Sequence, residues 1–270
     1  MAQTAWSKSV LSLGILQKDE SSYFLDFMQQ TLLNGSINTS IQYFETQEAA
    51  CHAVVEGNVA IYVCPLTVAP TILPMGLVIA ALSERKFAQN CLITEGGIVQ
   101  KVLTLSDMNR AFMQYLQPDY VVEKADLTPD ESLERLKSGA FDALVLSQLD
   151  VQFLDLQAKG IQVQPFSVRE FTPAAGQGVL CFIAAEEDLP TRRLLKAAHH
   201  PSVSAVTNIE RTVQKMLKDH AIHAYCERDR MGNYHLWAAA LVNGELRKTR
   251  LSQSTTFGMA EKVCEHLLSA

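Results

Sequence analysis

The sequence contains no closely spaced cysteines, no long apolar run and no excess of basic residues. Cys51, Cys64, Cys91, Cys181, Cys226 and Cys264 are scattered, and none stands in C-x-x-C spacing. A disulfide scaffold and a zinc ribbon are therefore not indicated, and single thiols of this kind are expected to be buried as small hydrophobes. No apolar stretch approaches the roughly 18 to 20 residues of a membrane span. Lys and Arg total 23 against 29 Asp and Glu, a formal net charge of -6. That balance argues against general nucleic-acid binding, which needs a positive field. The opening MAQTAWSKSVLSLGIL carries one lysine and a short apolar run, then passes into polar QKDESS. A long apolar segment and a small-residue cleavage site are missing, so no signal peptide is expected, and the cytoplasm is the expected location.

What is present suits a folded, multi-domain chain. The 270 residues are 48% hydrophobic, enough for one large or two to three small cores. Ser9 to Leu16 reads as a strand. Tyr23, Phe24, Phe27, Met28, Thr31 and Leu32 repeat at helical spacing behind Ser21 and Ser22, which can cap. A strand at Ser40 to Phe44, a helix at Thr46 to Val55 and a strand at Val59 to Cys64 complete a β-α-β-α-β pattern with parallel strands. Pro65, Pro70 and Pro74 interrupt it, and GLVIAAL at 76 to 82 resumes as a doubly covered strand. Cys91 to Thr94 is a further short strand.

The pattern then recurs. Ser106 can cap a helix containing Met108, Ala111, Phe112 and Leu116, and Tyr120 to Glu123 follows as a strand. Thr128, Pro129 and Glu131 spell a helix start, ending near Gly139 before a strand at Asp142 to Leu146. VVEGNVAIYVC at 54 to 64 parallels RLKSGAFDALVLS at 135 to 147, which points to two similar α/β lobes. Gly178 to Ile183 is a strand, Leu194 to Ala198 a short helical stretch, and Ser204 to Leu217 a long helix. Tyr234 to Val242 and Leu246 to Leu251 read as a hairpin around Asn243-Gly244, and Phe257 to Leu268 as a final helix. These last elements form a small α+β domain.

Three blocks in order carry a family resemblance: LPMGLVIAALSER at 73 to 85, SGAFDALVLSQLDVQFLDL at 138 to 156, and TPAAGQGVLCFIAAEEDLPTRRLLKAAHH at 172 to 200, followed by Glu210-Arg211. In these the chain resembles the porphobilinogen deaminase (hydroxymethylbilane synthase) family. The resemblance implies two α/β lobes like those of periplasmic binding proteins around a cleft, plus a small C-terminal α+β domain. It implies a discontinuous first lobe at 9–96 with 174–200, a second lobe at 100–170 and a third domain at 201–270. It also implies a dipyrromethane primer on a cysteine, extended with porphobilinogen. A row of cations would neutralise the polyanion, and an aspartate would move protons.

The residues depart from that pattern where the chemistry should be. The family's catalytic loop falls on Cys64-Pro65-Leu66-Thr67-Val68-Ala69-Pro70-Thr71, with Thr67 at the lysine position and Val68 at the aspartate position. Its first arginine motif falls on Ile15 to Asp19, where Lys18 is the nearest cation. Its arginine pair falls on Met108-Asn109, with Arg110 one place along. Its arginine-glycine-asparagine motif falls on Asp126-Leu127-Thr128, and a downstream arginine on Ser132. The cofactor loop falls on Lys218 to Ile222, shortened and without cysteine, so dipyrromethane is expected only if Cys226 substitutes. The chain is also short between Thr94 and Val102. Lys18, Arg110, Cys64, Gly176, Gln177 and Gly178 are left as candidates for contact with a ligand.

Other constellations are weaker. His220, His223 and Cys226 have H-x-x-H-x-x-C spacing, which would need a further ligand such as His199 or His200. Ordinary polar residues are the preferred explanation, and no metal is expected. Cys64 as a nucleophile would need a base such as His52 or His220 beside it. Glu227 to Arg230 is read as a solvated turn, and Lys101, Lys124, Arg135 and Lys137 as mainly solvent-facing. The leading expectation is a non-catalytic homologue acting in or beside tetrapyrrole biosynthesis, with a tetrapyrrole-pathway protein as partner. A two-lobe module binding a small molecule, an anion or a pyrrole-type ligand, and an enzyme with changed chemistry, are the alternatives. No nucleic-acid or membrane partner is expected.

Overall fold

The computed structural model describes residues 11–17, 22–33, 39–154, 156 and 160–269. In chain order the elements are β1 (Leu11–Leu16), α1 (Ser22–Leu33), β2 (Thr39–Phe44), α2 (Gln47–Val55), β3 (Ile61–Pro65), β4 (Leu77–Leu82), β5 (Asn90–Thr94), β6 (Lys101–Thr104) and α3 (Asp107–Leu116). There follow β7 (Val121–Lys124), α4 (Pro129–Lys137), β8 (Ala143–Ser147), α5 (Gln148–Phe153), β9 (Gln162–Pro165), β10 (Leu180–Ala185) and α6 (Leu189–Leu195). The chain ends with α7 (Pro201–Met216), β11 (Ile222–Arg228), β12 (Tyr234–Val242), β13 (Glu245–Gln253) and α8 (Met259–Ser269). No helix among the described residues is long and apolar enough to cross a membrane.

The described residues up to 85 and at 179–203 form one compact unit, and those at 86–178 and from 204 onward the other. The first unit is an α/β lobe with strand order β2-β1-β3-β10-β4. Strands β1, β2 and β3 are parallel, whereas β10 runs antiparallel to both β3 and β4. Its core joins Leu16, Tyr62 and Val179 to Cys51 and Val54 from α2. Each fully buried aliphatic of this kind contributes roughly 1.5–3 kcal/mol.

The second unit holds the second α/β lobe, order β7-β6-β8-β5-β9. Parallel β6, β7 and β8 are built like the first lobe's opening strands, and β5 is antiparallel to β8 and β9. The expected first-lobe boundary at residue 96 is therefore too late, because β5 belongs to the second sheet. The N-caps read at Ser106 and Thr128 are formed: Ser106 accepts from Asn109 N–H, and Thr128 makes a full capping box with Glu131; Thr46, read as the first residue of its helix, caps α2 instead by accepting from Ala49 N–H. The short helix α6 begins earlier than the expected 194, because Asp188 caps it by accepting from Thr191 N–H.

The same unit carries the C-terminal α+β region, a sheet of order β11-β12-β13. One face packs Ala224, Leu236 and Ala238 against Val213 of α7 and Val263 of α8. The hairpin turns at Asn243 (φ 54°) and Gly244 (φ 83°), the left-handed pair that an Asn-Gly hairpin requires. All six cysteines are buried and none is in a disulfide, as expected for small hydrophobes.

Candidate functional site

In open α/β sheets, ligands bind beyond the carboxyl ends of the parallel strands. Those ends also hold most of the family positions singled out in the sequence, so each lobe is considered from there.

In the first lobe, β3 runs into a tight turn. Val68 N–H donates to Pro65 C=O (3.1 Å), and Gln47 Nε2 donates to Val68 C=O (3.1 Å). The backbone of this loop is thus held, while the side chains of Thr67 and Val68 are exposed. Val68, at the family's acid position, presents only apolar atoms to solvent and can neither ionise nor relay a proton. Cys64 does not project outward: it is fully buried, with Sγ 3.4 Å from Sγ of Cys181 on β10. His52, the base that a Cys64 nucleophile would need, is on the surface and pairs with Glu56 at 3.2 Å. Lys18 lies outside the described residues.

In the second lobe, β6, β7 and β8 lead into α3, α4 and α5 through the caps Ser106, Thr128 and Ser147. Two family positions have turned inward. Met108 is 3% exposed in the core, and Ser132 is fully buried with Oγ donating to Pro129 C=O at 2.7 Å. What remains at the rim is an ion-pair cluster. Asp107 holds Arg110 at 3.0 Å and Lys124 at 3.6 Å, and Asp126 holds Lys124 at 3.3 Å. Hydrogen bonding to Asp126 and the charges of Asp107 and Asp126 raise the pKa of Lys124. Two cations face two carboxylates, so the rim carries no surplus positive charge for a polyanion. Asn109 Oδ1 is buried there without a hydrogen-bond partner.

Gly176, Gln177 and Gly178 form the turn that ends the second lobe, and their bonds are to the protein. Gln177 Nε2 donates to Ala88 C=O (2.9 Å), Gln89 C=O (3.0 Å) and Asn90 Oδ1 (3.2 Å). Gly176 N–H donates to Glu210 Oε2 at 2.8 Å. Glu210 is fully buried and also accepts from Cys226 N–H at 2.7 Å, tying α7 to β11 and the turn. This carboxylate was missed as a polar hub, although it interrupts the apolar stripe Val206, Ile209, Val213, Leu217.

The H-x-x-H-x-x-C residues do not converge. His223 and Cys226 lie three apart on β11 and so project from opposite faces. His223 Nδ1–H donates to Thr172 C=O at 2.7 Å, and the ring stacks on Phe112 with centroids 5.9 Å apart. Burial lowers its pKa to about 4. His220 Nδ1 lies 3.3 Å from Leu241 C=O. Among the described residues no three His, Cys, Asp or Glu side chains form a metal-binding group. Cys226 is 1% exposed in the C-terminal core, and the Lys218 to Ala221 turn has no cysteine. These residues do not fit a thioether-linked dipyrromethane.

A family model described as "Porphobilinogen deaminase, dipyromethane cofactor binding domain" matches residues 17–193. Porphobilinogen deaminase of Sulfurimonas denitrificans is 30% identical over 167 residues, covering 59% of this chain and 53% of the relative. That of Exiguobacterium sibiricum is 31% identical over 153 residues, covering 53% and 48%. The chain spans about half the length of the curated relatives it matches. Among solved structures it is similar to a sulfate-bound OxyR2 regulatory domain from Vibrio vulnificus (TM-score 0.47, 10% identity, covering 73% of this chain and 97% of that one). It is also similar to the periplasmic aliphatic sulphonate binding protein of Escherichia coli (TM-score 0.42, 16% identity, covering 79% and 76%). The expected role in or beside tetrapyrrole biosynthesis is corrected here. Several of the similar solved structures are ligand-binding proteins, a likeness that shows the fold alone. At the family's chemical positions this chain carries an exposed valine, an exposed threonine, a buried methionine and a buried serine.

Proposed function

The chain belongs to the porphobilinogen deaminase family, and from that premise we propose that it is a two-lobe small-molecule binding module that has kept the family's α/β lobes without its chemistry. The observation that carries this reading is the rim of the second lobe. Three helices start there at capped N-termini, directly after parallel strands, a placement that favours a negative group on a ligand. Arg110 and Lys124 are already paired with Asp107 and Asp126. A balanced rim of this kind suits a small polar molecule carrying one anionic group, which exchanges with a carboxylate for Arg110 or Lys124. It does not suit a chain of pyrroles bearing many carboxylates. With Val68 at the acid position and Cys226 in the core, the module holds no covalent cofactor and releases its ligand unchanged.

Thermal unfolding of the purified protein across small carboxylates, amino acids, sulfonates, phosphate and porphobilinogen tests this. A small anionic or zwitterionic molecule raises the midpoint saturably, in proportion to the logarithm of its concentration. The double variant R110Q/K124Q loses that shift. Turnover of porphobilinogen, or a covalent adduct on Cys226 seen by mass spectrometry, would overturn the proposal.

A further inference from the structure

We propose that the first lobe carries a second, separate site: a groove between β4 and α6 that binds a small carboxylate with a short apolar tail. The groove encloses about 310 Å³ and is lined by Val78, Ile79, Ala80, Leu189, Arg192, Arg193, Lys196 and His199. That volume lies at the lower end of the range for small-molecule sites. Its floor is apolar, made by half-buried β4 side chains with exposed Leu189 at the lip.

Its wall supplies hydrogen-bond donors only. No carboxylate lines the groove, and among the described residues no acidic side chain pairs with Arg192, Arg193 or Lys196. Arg192 is oriented by donating from Nη1 to Glu186 C=O, which leaves the rest of the guanidinium available. His199 adds a fixed donor. Its Nδ1 accepts Leu82 N–H at 3.2 Å, so the neutral ring carries its proton on Nε2. Burial and the neighbouring His200 lower its pKa, which favours that neutral form. Three cations with no acidic partner among the described residues, and an imidazole N–H, around one groove are conspicuous in a chain of net charge -6. They match a carboxylate, which accepts bidentate bonds from arginine.

The occupant is a small molecule rather than an added peptide strand. β4 is the terminal strand of its sheet, so its outer edge would in principle accept a strand. That edge is already closed at Leu82, whose N–H goes to His199 and whose C=O accepts from His200 N–H at 3.0 Å. The register shift that leaves Ala80 unmatched against β10 further shortens the usable edge. An apolar tail lying between Val78 and Leu189 with its carboxylate among the cations uses what is left.

Isothermal titration of the full chain with hexanoate tests the site, with hexylamine and inorganic phosphate as parallel arms. Hexanoate is expected to bind saturably at one site, hexylamine not at all, and phosphate more weakly than hexanoate. The triple variant R192Q/R193Q/K196Q changes only exposed or half-exposed side chains and is expected to lower hexanoate affinity at least about tenfold. Nitrogen-detected imidazole spectra should show the His199 Nε2 resonance moving with hexanoate in the parent protein. R110Q/K124Q should leave hexanoate binding intact, which separates this site from the rim of the second lobe. The proposal falls if hexanoate does not saturate, if the triple variant binds it unchanged, if hexylamine binds equally, or if R110Q/K124Q abolishes the signal. Phosphate binding as tightly as hexanoate would overturn the role given to the apolar floor.

Discussion

Two segments inherited from the same family pattern have had opposite fates. The turn at 173 to 178 keeps its proline, glycines and glutamine, whereas the loop at 64 to 71 keeps none of its chemical side chains. The difference follows from where their polar groups point. In the turn, Gln177 and Gly176 satisfy buried partners on β5 and α7, so removing any of them orphans a group in the interior. In the loop, Thr67 and Val68 face solvent, and the backbone is held by Gln47 whatever those side chains are. Residues that served the fold are bound to it, and residues that served only the reaction are free to drift.

Substitutions can test this contrast, beginning with the harshest. Gly178→Ala places a methyl 1.9 Å from Lys86 C=O at a φ of +78°. It should cost at least about 4 kcal/mol in urea unfolding or leave the chain insoluble. A loss under about 1 kcal/mol would show that the turn yields, which would break the comparison. Glu210→Ala leaves the N–H groups of Gly176 and Cys226 buried without their acceptor. A loss of about 3–5 kcal/mol is expected by the same measurement.

His223 sharpens the comparison through pH. It is buried neutral with a pKa of about 4, so the unfolded chain binds its proton more readily than the folded one. Stability is therefore complete above the ordinary histidine value of 6.5 and falls as pH drops from there toward 4, by up to about 3 kcal/mol. Unfolding midpoints of H223Q should lack that slope across the same window, whatever its overall stability. At the mild end, Val68→Asp restores the family's acid at a position 40% exposed. It should alter stability by no more than about 0.5 kcal/mol and yield no conversion of porphobilinogen, because the surrounding cations remain absent.

Legibility in the sequence tracked local chemistry. Strands β3, β4, β8 and β10 stood out as nearly unbroken apolar runs, and α4 was announced by Thr128, Pro129 and Glu131. Strand β9, QVQP, is not legible because it mixes polar and apolar residues, and β11, IHAYCER, mixes them too, so that only the family resemblance puts Cys226 in a strand. In β11 the two faces pack on different partners: Ala224 and Cys226 on the C-terminal helices, His223 on Phe112 and Thr172. Strand β5 was recognised as a strand but given to the wrong lobe, since its pairing with β8 and β9 is non-local. The loss of the acid at Val68 was visible residue by residue. The inward turn of Ser132 is not, because orientation about α4 depends on which face the helix packs, whereas Met108 shares the apolar spacing of Phe112. The cationic groove beside β4 is not legible, because Arg192 and Arg193 lie on a helix whose start the apolar spacing puts five residues too late.

The position of β10 governs the order in which this chain can be completed. Among the described residues β4 pairs in its sheet with β10 alone, yet β10 follows it only after the whole second sheet has been made. A growing chain therefore exposes β4, with its run of aliphatic side chains, while β5 to β9 assemble from their own contiguous stretch. The lobe that begins first is closed last, and its contacts are the long-range ones that slow folding and leave a strand open to wrong partners. A truncation between residues 166 and 179 leaves the second sheet complete and the first unfinished, with β3 and β4 both lacking the strand that joins them.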